Sequence, residues 1–376
     1  MFMSTGTTGF DPRKLARAEV LDLPVYSPGK SPEDVAREYG IRGCVKMASN
    51  ENPLGPSPLA MEALARVLDS VHLYPDTACL RLREAIADKL GLGPENVLVG
   101  HGADEIFDLL AYAFLEPGDQ VVVASPTFSS YELAAMTMGA EVIRVPLRDY
   151  RQDVEAMAKA VGPRCKVVFL CSPHNPTGTV VGEGEFTSLL ADTAGKCLVV
   201  LDEAYVEYVE ESESWDSLGY LRENPHLLVT RTFSKIYGLA GLRVGYALCS
   251  PGVREILEKV KLPFNVNRLA QEAALAALED AEHVKRSREM NSRGKRKIYR
   301  VLEELGIPYV PSQANFVLVK DPGGGSLFEG LLQHGVIVRD GAALGLPGHV
   351  RITVGDDEMN ARLEEALKKL SSKGSW

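Results

Sequence analysis

Three apolar runs constrain this chain more than anything else in it: Val121–Ala124 (VVVA), Val167–Leu170 (VVFL) and Leu198–Leu201 (LVVL). None shows the apolar–polar alternation of a half-exposed strand, so each must be covered on both faces. Between and around them lie amphipathic patterns of helical length. The order predicts strands at Val97–Gly100, Gln120–Ser125, Glu141–Pro146, Cys165–Cys171, Cys197–Asp202, Leu227–Thr230 and Val244–Leu248. Helices are predicted at Pro58 to about Leu68, Thr77–Leu90, from His101 through Phe114, and at Tyr131–Met138, Asp153–Ala160 and Glu183–Ala194. Ser57 is the expected cap of the first of these, with Ala60, Ala63, Leu64, Val67 and Leu68 on its apolar face. Such alternation is that of an α/β protein, three layers with a mainly parallel or mixed sheet in the middle.

After Pro251 the character changes. Long amphipathic patterns cover Arg268–Leu278 and Ala281 toward Leu305, the latter carrying the basic stretch Arg293–Arg300 on its expected solvated face. Strands at Asn315–Val319, Val336–Val338 and Val350–Val354 alternate with helices at Leu327–His334 and Asp357–Lys369, and Ser371–Trp376 reads as a frayed tail. The expected division is an N-terminal arm with part of a small domain over residues 1–45, a large domain over 46–265 and a smaller α+β domain over 266–376.

The formal charge of −10 and isoelectric point near 5.4 argue against nucleic acid or an anionic membrane as partner, while leaving room for a local basic pocket. No signal-peptide core and no run of about 18 apolar residues is present, so the default location is cytoplasmic. Six cysteines without a CxxC pair or nearby histidine spacing read as buried thiols, not as disulfides or metal ligands.

The chemically suggestive segments each follow a strand: His101–Gly102, Pro126–Tyr131, His174–Gly178, Asp202–Tyr205 and Thr232–Lys235. Ligands of such sheets bind beyond the strand C-termini, so the five converge on one rim. Lys235, between a strand end and a glycine-bearing loop, is either a surface lysine or a Schiff-base nucleophile for a phosphorylated aldehyde cofactor. Thr232, Ser234 and the guanidinium of Arg243 suit the phosphate, as do the free N–H groups near Ala103 and Asp104 where a helix starts. The segment lacks a nucleotide P-loop and the full dinucleotide fingerprint, which disfavours ATP and NAD. Asp202, at a strand end, suits the protonated pyridine nitrogen of pyridoxal 5'-phosphate, although such an Asp is also common in solvated turns. Tyr205 is a donor to the ring oxygen, with Asn175 beside it, or an ordinary amphipathic wall residue; Phe128 stacks on the ring or is a core aromatic, alternatives that look alike in sequence. Arg339 and Arg351, each at the edge of a short apolar strand, are surface arginines or bidentate anion receptors.

Taken together these segments resemble a known family. The matching stretches are Tyr26–Lys30 (YSPGK), Asn50–Gly55 (NENPLG), Tyr74–Asp76 (YPD), Gly100–Glu105 (GHGADE), Ser125–Phe128 (SPTF), Ser172–Gly178 (SPHNPTG), Asp202–Tyr205 (DEAY) and Arg231–Arg243 (RTFSKIYGLAGLR). Pro263–Asn267 (PFNVN), Gln313–Phe316 (QANF) and Arg351–Gly355 (RITVG) complete the set. The chain resembles the fold-type I pyridoxal-phosphate-dependent aminotransferases, and within them the histidinol-phosphate aminotransferases. The resemblance implies amino-group transfer between histidinol phosphate and 2-oxoglutarate, with Lys235 as the Schiff-base lysine, Asp202 as the pyridinium partner and Arg351 as the substrate's anion receptor. It further implies that Arg339 assists with the phosphate, that Tyr26, Asn52 and Asn175 join the substrate pocket, and that Tyr74 reaches the cofactor of the neighbouring subunit in a homodimer. His101 stands where the family often has Asn. Rival activities are an aromatic amino acid aminotransferase and, in another reaction class, a threonine-phosphate decarboxylase.

Overall fold

Residues 10–25, 29–41 and 43–372 are described in the computed structural model. Seven strands form the main sheet, in the spatial order Val97–Gly100, Gly245–Cys249, Leu227–Thr232, Leu198–Asp202, Cys165–Cys171, Gln120–Ser125 and Glu141–Pro146. Gly245–Cys249 runs antiparallel to both neighbours and every other pairing is parallel, so the sheet is mixed. The antiparallel strand follows from chain length: the loop 233–244 contains no crossover helix and must return beside the strand it left. Thr232 and Gly245 are register partners, so the two ends of that loop, with Lys235 and Arg243 inside it, stay on one rim.

The doubly apolar runs have their predicted cause. Val122, Ala124, Val199 and Leu201 face a core shared with Ile86, Phe186 and Phe233, while Val121, Val123 and Val200 face a second core with Ile106, Phe107 and Leu257. Successive residues of a strand point to opposite faces, so a run covered on both sides is apolar at every position.

A four-stranded antiparallel sheet, in the order Arg339–Asp340, His349–Thr353, Phe316–Lys320 and Tyr309–Val310, packs against the helices Ala281–Glu304, Ser326–Gln333 and Asp357–Ser372. Val45–Lys46 pairs in parallel with Val336–Ile337, tying the N-terminal segment to this part of the chain. Short helical pieces at Pro12–Lys14 and Ala18–Leu21 precede it. The last helix continues to Ser372, and the rest of the expected frayed tail lies outside the described residues. No helix among the described residues is long and apolar enough to cross a membrane. The described cysteines are unbridged; all are buried except Cys44, which is half-buried.

Several local expectations need correction. The helix expected from Thr77 starts at Leu80, because the Asp76 carboxylate takes the N–H groups of Ala78 and Leu80 and Cys79 sits at φ 49°. Leu68 falls in a 3-10 turn after the helix Pro58–Val67 and is 56% exposed. Pro251–Val260 forms a helix that the sequence reading omitted, opened by Pro251 at its first turn. The basic stretch Arg293–Arg300 is not wholly solvated: Lys295 is buried, donating to the Ser312 carbonyl at 2.7 Å and facing Glu210 at 3.9 Å.

Gly238 brings the loop after Lys235 against the Asn50–Ser57 loop, where Ser57 N–H donates to the Tyr237 carbonyl at 3.2 Å. A Cβ at Gly238 would lie 2.1 Å from the Gly55 carbonyl oxygen, at a φ of +70°. Backbone cannot yield there as a flexible side chain would. Gly238→Ala is expected to lower the unfolding free energy by about 1–3 kcal/mol, as read from urea or thermal unfolding; an unchanged midpoint would refute the contact.

Candidate active site

A cleft of about 540 Å³ opens at the C-terminal rim of the main sheet and is lined in part by Arg339 and Arg351 of the four-stranded sheet. Among the residues it exposes are Ala103, Asp104, Phe128, Asn175, Asp202 and Tyr205. Thr232, Ser234, Lys235, Arg243, Arg339 and Arg351 complete the set that the sequence motifs single out. Strand C-termini deliver most of them, which is why segments far apart in the chain meet here.

At the deep end lies Asp202, the last residue of its strand and 4% exposed. Its Oδ1 accepts from the Ala204 N–H at 3.0 Å and the Thr230 hydroxyl at 3.2 Å, and its Oδ2 accepts a short hydrogen bond from the Tyr131 phenol. Burial pushes its carboxyl up to about 6, against the pull of these donors.

Lys235 lines the same cleft. Its Nζ donates to the Ser49 carbonyl at 3.3 Å and stands 5.6 Å from the centroid of the Tyr205 ring. Burial, reinforced by the nearby positive charge of Arg351, lowers the amine to about 8. An amine so tuned is a far better nucleophile near neutral pH than an ordinary lysine. Tyr205 accepts at its hydroxyl from Asn50 Nδ2 at 3.0 Å, and burial raises its phenol to about 12.

On one side the helix Gly102–Phe114 begins at the cleft, where its first N–H groups have no intrahelical partner. Arg243 closes this corner. It donates to Asp104 Oδ2 at 3.1 Å and to the Ala240 carbonyl at 3.2 Å, with Ser234 Oγ at 3.5 Å. The corner is shaped by missing side chains: a Cβ on Gly102 would lie 2.6 Å from Arg243 Nη2, and one on Gly245 would lie 2.7 Å from the Ala103 nitrogen. Free backbone donors, a hydroxyl and a guanidinium converge on a space that any Cβ would fill, a donor set suited to a phosphate.

Opposite, Arg339 and Arg351 are direct cross-strand partners. Arg351 is 6% exposed, donates through Nη1 to Asn175 Oδ1 at 2.6 Å and through Nη2 to the Ala48 carbonyl at 2.8 Å, and lies 5.2 Å from the Phe316 ring centroid. Both guanidinium-bearing residues line the cleft from directly paired strand positions, a residue type that suits an anionic substrate group.

Other predicted residues lie elsewhere. Asn52 is not among the residues lining the cleft: its amide donates to the Ile236 carbonyl at 2.8 Å and Ser287 Oγ at 2.9 Å, and its own oxygen accepts from the Leu54 N–H. Asn50, at φ 57°, turns into the cleft instead. Tyr74 is 78% exposed and stacks on Phe264 with centroids 4.7 Å apart, away from this chain's own cleft. His101 is exposed at the helix start and its N–H is held by the Glu105 carboxylate. Tyr26 lies outside the described residues. Tyr131 and Asn50 escaped the sequence reading. Each stands in a quoted motif or next to one, but the contacts that distinguish them, to Asp202 and Tyr205, cross from one element to another.

Comparison with known proteins agrees with this geometry. Residues 42–367 match the family "aminotransferase class I and II". The histidinol-phosphate aminotransferase of Moorella thermoacetica is 48% identical over 356 residues, covering 94% of this chain and 92% of that protein. That of Symbiobacterium thermophilum is 46% identical, covering 95% and 99%. Among solved structures, the histidinol-phosphate aminotransferase of Sinorhizobium meliloti, in complex with pyridoxal-5'-phosphate, superposes with a TM-score of 0.88 at 27% identity, covering 97% of this chain and 99% of that one. An aspartate aminotransferase variant of Thermus thermophilus follows the same fold, with a TM-score of 0.83, 26% identity and 95% and 99% coverage. The chain therefore belongs to the class I and II aminotransferase family, in its histidinol-phosphate aminotransferase branch.

Proposed function

We propose that this chain is a pyridoxal 5'-phosphate-dependent histidinol-phosphate aminotransferase, reversibly exchanging an amino group between L-histidinol phosphate and 2-oxoglutarate to give imidazole-acetol phosphate and L-glutamate. The observation that carries the proposal is the opening into one cleft of a lowered amine, a buried carboxylate, a phosphate-shaped corner and a cationic wall. Identity of 48% to a histidinol-phosphate aminotransferase supports the choice of substrate.

When bound, the cofactor supplies an aldehyde that carries the amino group and a protonated ring that accepts the electron pair of Cα. Lys235, a lowered amine lining the cleft, would hold the cofactor through its aldehyde and, when free, would be the base that takes and returns the substrate's Cα proton. Asp202 would keep the ring nitrogen protonated by offering it a negative charge. Ala103, Asp104, Thr232, Ser234 and Arg243 would hold the phosphate, Phe128 would cover the ring, and Tyr205 with Asn175 would donate to the ring oxygen. Arg351, with Arg339, would take the substrate's phosphate in one half-reaction and a glutamate carboxylate in the other, and Tyr26 is proposed to contact the same substrate.

Homodimer formation, with Tyr74 reaching the neighbouring site, draws support from a surface that includes Leu68, Val71, Leu73, Tyr74, Leu262 and Phe264, each between 43% and 78% exposed. Apolar exposure of this extent is unusual on a monomer. Unbridged thiols favour the cytoplasm. For the domain division, the packing of Ala270, Ala273, Ala274 and Ala277 into the main core favours moving the proposed boundary from about residue 265 to the end of the helix Arg268–Leu278.

The deciding experiment measures kcat/KM for histidinol phosphate, phenylalanine and O-phosphothreonine, with and without 2-oxoglutarate. Preference for phenylalanine by more than about tenfold, equivalent to about 1.4 kcal/mol of transition-state discrimination, would assign an aromatic aminotransferase. Release of CO2 without need for 2-oxoglutarate would assign a decarboxylase. Arg351→Ala is expected to lower kcat/KM for histidinol phosphate by roughly 100-fold or more, because a desolvated anion loses its bidentate partner. Arg351→Lys, which keeps the charge but not the planar fork, should recover only part of it.

A further inference from the structure

Three donors serve the two oxygens of Asp202, and one of them stands apart. The Ala204 N–H and the Thr230 hydroxyl share Oδ1, and the Tyr131 phenol alone holds Oδ2. The ring of Tyr131 is fully buried, stacked on Phe169 at 4.7 Å and edge-on to Phe107 and Phe128 at 4.9 and 5.6 Å. In a core packed on all sides such a ring has no alternative rotamer to swing into. One residue therefore touches both the acid assigned to the ring nitrogen and the aromatic assigned to the ring face.

We propose that Tyr131 is a positioning residue of the cofactor site, whose phenol fixes the plane of the Asp202 carboxylate and favours its ionised form, and whose ring seats Phe128. The proposal rests on the reading of Asp202 as the partner of the pyridine nitrogen, and adds to it the residue that makes the partnership work near neutral pH. Desolvation drives the Asp202 carboxyl upward, and the phenol is the largest influence opposing it. Burial also raises the phenol well above its ordinary value, so it remains a donor across the working range. The titratable groups facing Asp202 from other elements are Asp104, which repels the ionised form, and Cys171 and Tyr205, whose own ionisation burial pushes upward and which stay neutral. Without the phenol, the neutral form of Asp202 would gain ground, and a neutral acid cannot hold a pyridinium.

Tyr131→Phe removes the hydroxyl and keeps the ring. Two readouts apply, neither of them turnover. The first is the pH dependence of thermal stability in cofactor-free protein. Because the folded-state pKa of Asp202 lies above its unfolded value of 3.8, the folded protein binds the extra proton between them, and stability falls as pH rises from about 4 through about 6. In Tyr131→Phe this fall should extend to higher pH. The second is the dissociation constant for pyridoxal 5'-phosphate, titrated by absorbance from about pH 5 to about pH 9. It should weaken by about 10- to 100-fold near pH 6, the worth of one hydrogen bond to a charged group, and return toward wild type at the alkaline end.

Thr230→Val, which deletes a donor on the other oxygen at 3.2 Å, serves as the comparison and should shift both profiles less. Unchanged profiles in Tyr131→Phe, or equal shifts in the two variants, would overturn the proposal. If the stability profile shifts but wild-type protein does not capture the cofactor, the Tyr131–Asp202 coupling stands and the cofactor reading is what fails, taking the proposed role with it.

Discussion

Lys235→Ala protein is expected to bind pyridoxal 5'-phosphate without forming the Schiff-base absorbance band, and to turn over histidinol phosphate at least about 10⁴-fold more slowly than wild type. General-base help alone supplies about 10²–10⁴-fold, and the substitution also removes the amine proposed to bond the cofactor. Its environment adds a signature that does not depend on turnover. The amine is lowered to about 8 by burial and by the charge of Arg351, against an ordinary value of 10.5. Between those values the unfolded chain holds a proton that the folded one has released, so wild-type stability rises with pH from about 8 to about 10.5. Lys235→Ala should lack that rise in cofactor-free protein. Wild-type turnover in the variant would remove the mechanism, and an unchanged stability profile would remove the account of how the amine is tuned.

Asp202→Asn should keep the fold and lose most of the chemistry. The amide preserves shape but presents no charge to the ring nitrogen. An adjacent opposite charge is worth one to three pKa units, so the ring would lose about 1.4–4 kcal/mol of preference for its protonated form. The first half-reaction, followed by stopped-flow absorbance with histidinol phosphate, should slow by roughly 10- to 1000-fold. The cofactor-free variant should also lose the fall in stability between about pH 4 and about pH 6, because no carboxyl remains to titrate there. Half-reaction rates equal to wild type would show that the ring nitrogen does not rely on this residue.

The layered α/β fold was legible in the chain because strands covered on both faces must be apolar throughout, and VVVA, VVFL and LVVL are. Helix boundaries were less so. Asp76 delays the helix expected at Thr77 through a local choice between capping and continuing, which periodicity does not register. The layer to which a helix belongs was also hidden: Arg268–Leu278 has a face of alanines that suits close approach to any neighbour, and only the packed molecule places it in the main core. The site shows the same division. Asn50 and Asn52 stand two residues apart in one turn-rich loop, and nothing in their identity says that Asn50 enters the cleft while Asn52 fastens the loop to Ile236 and Ser287.

By itself the sequence determined the order of the main-sheet strands, most of the helices and the candidate reacting groups at the strand ends, since apolar periodicity and motif spacing are properties of neighbours along the chain. The tertiary structure alone decided which groups share the cleft and how each holds its proton. Asp202 is raised, Lys235 lowered and Arg351 set opposite Arg339 by residues remote in sequence. Desolvation and charge act through distance in space, and only the folded chain defines that distance.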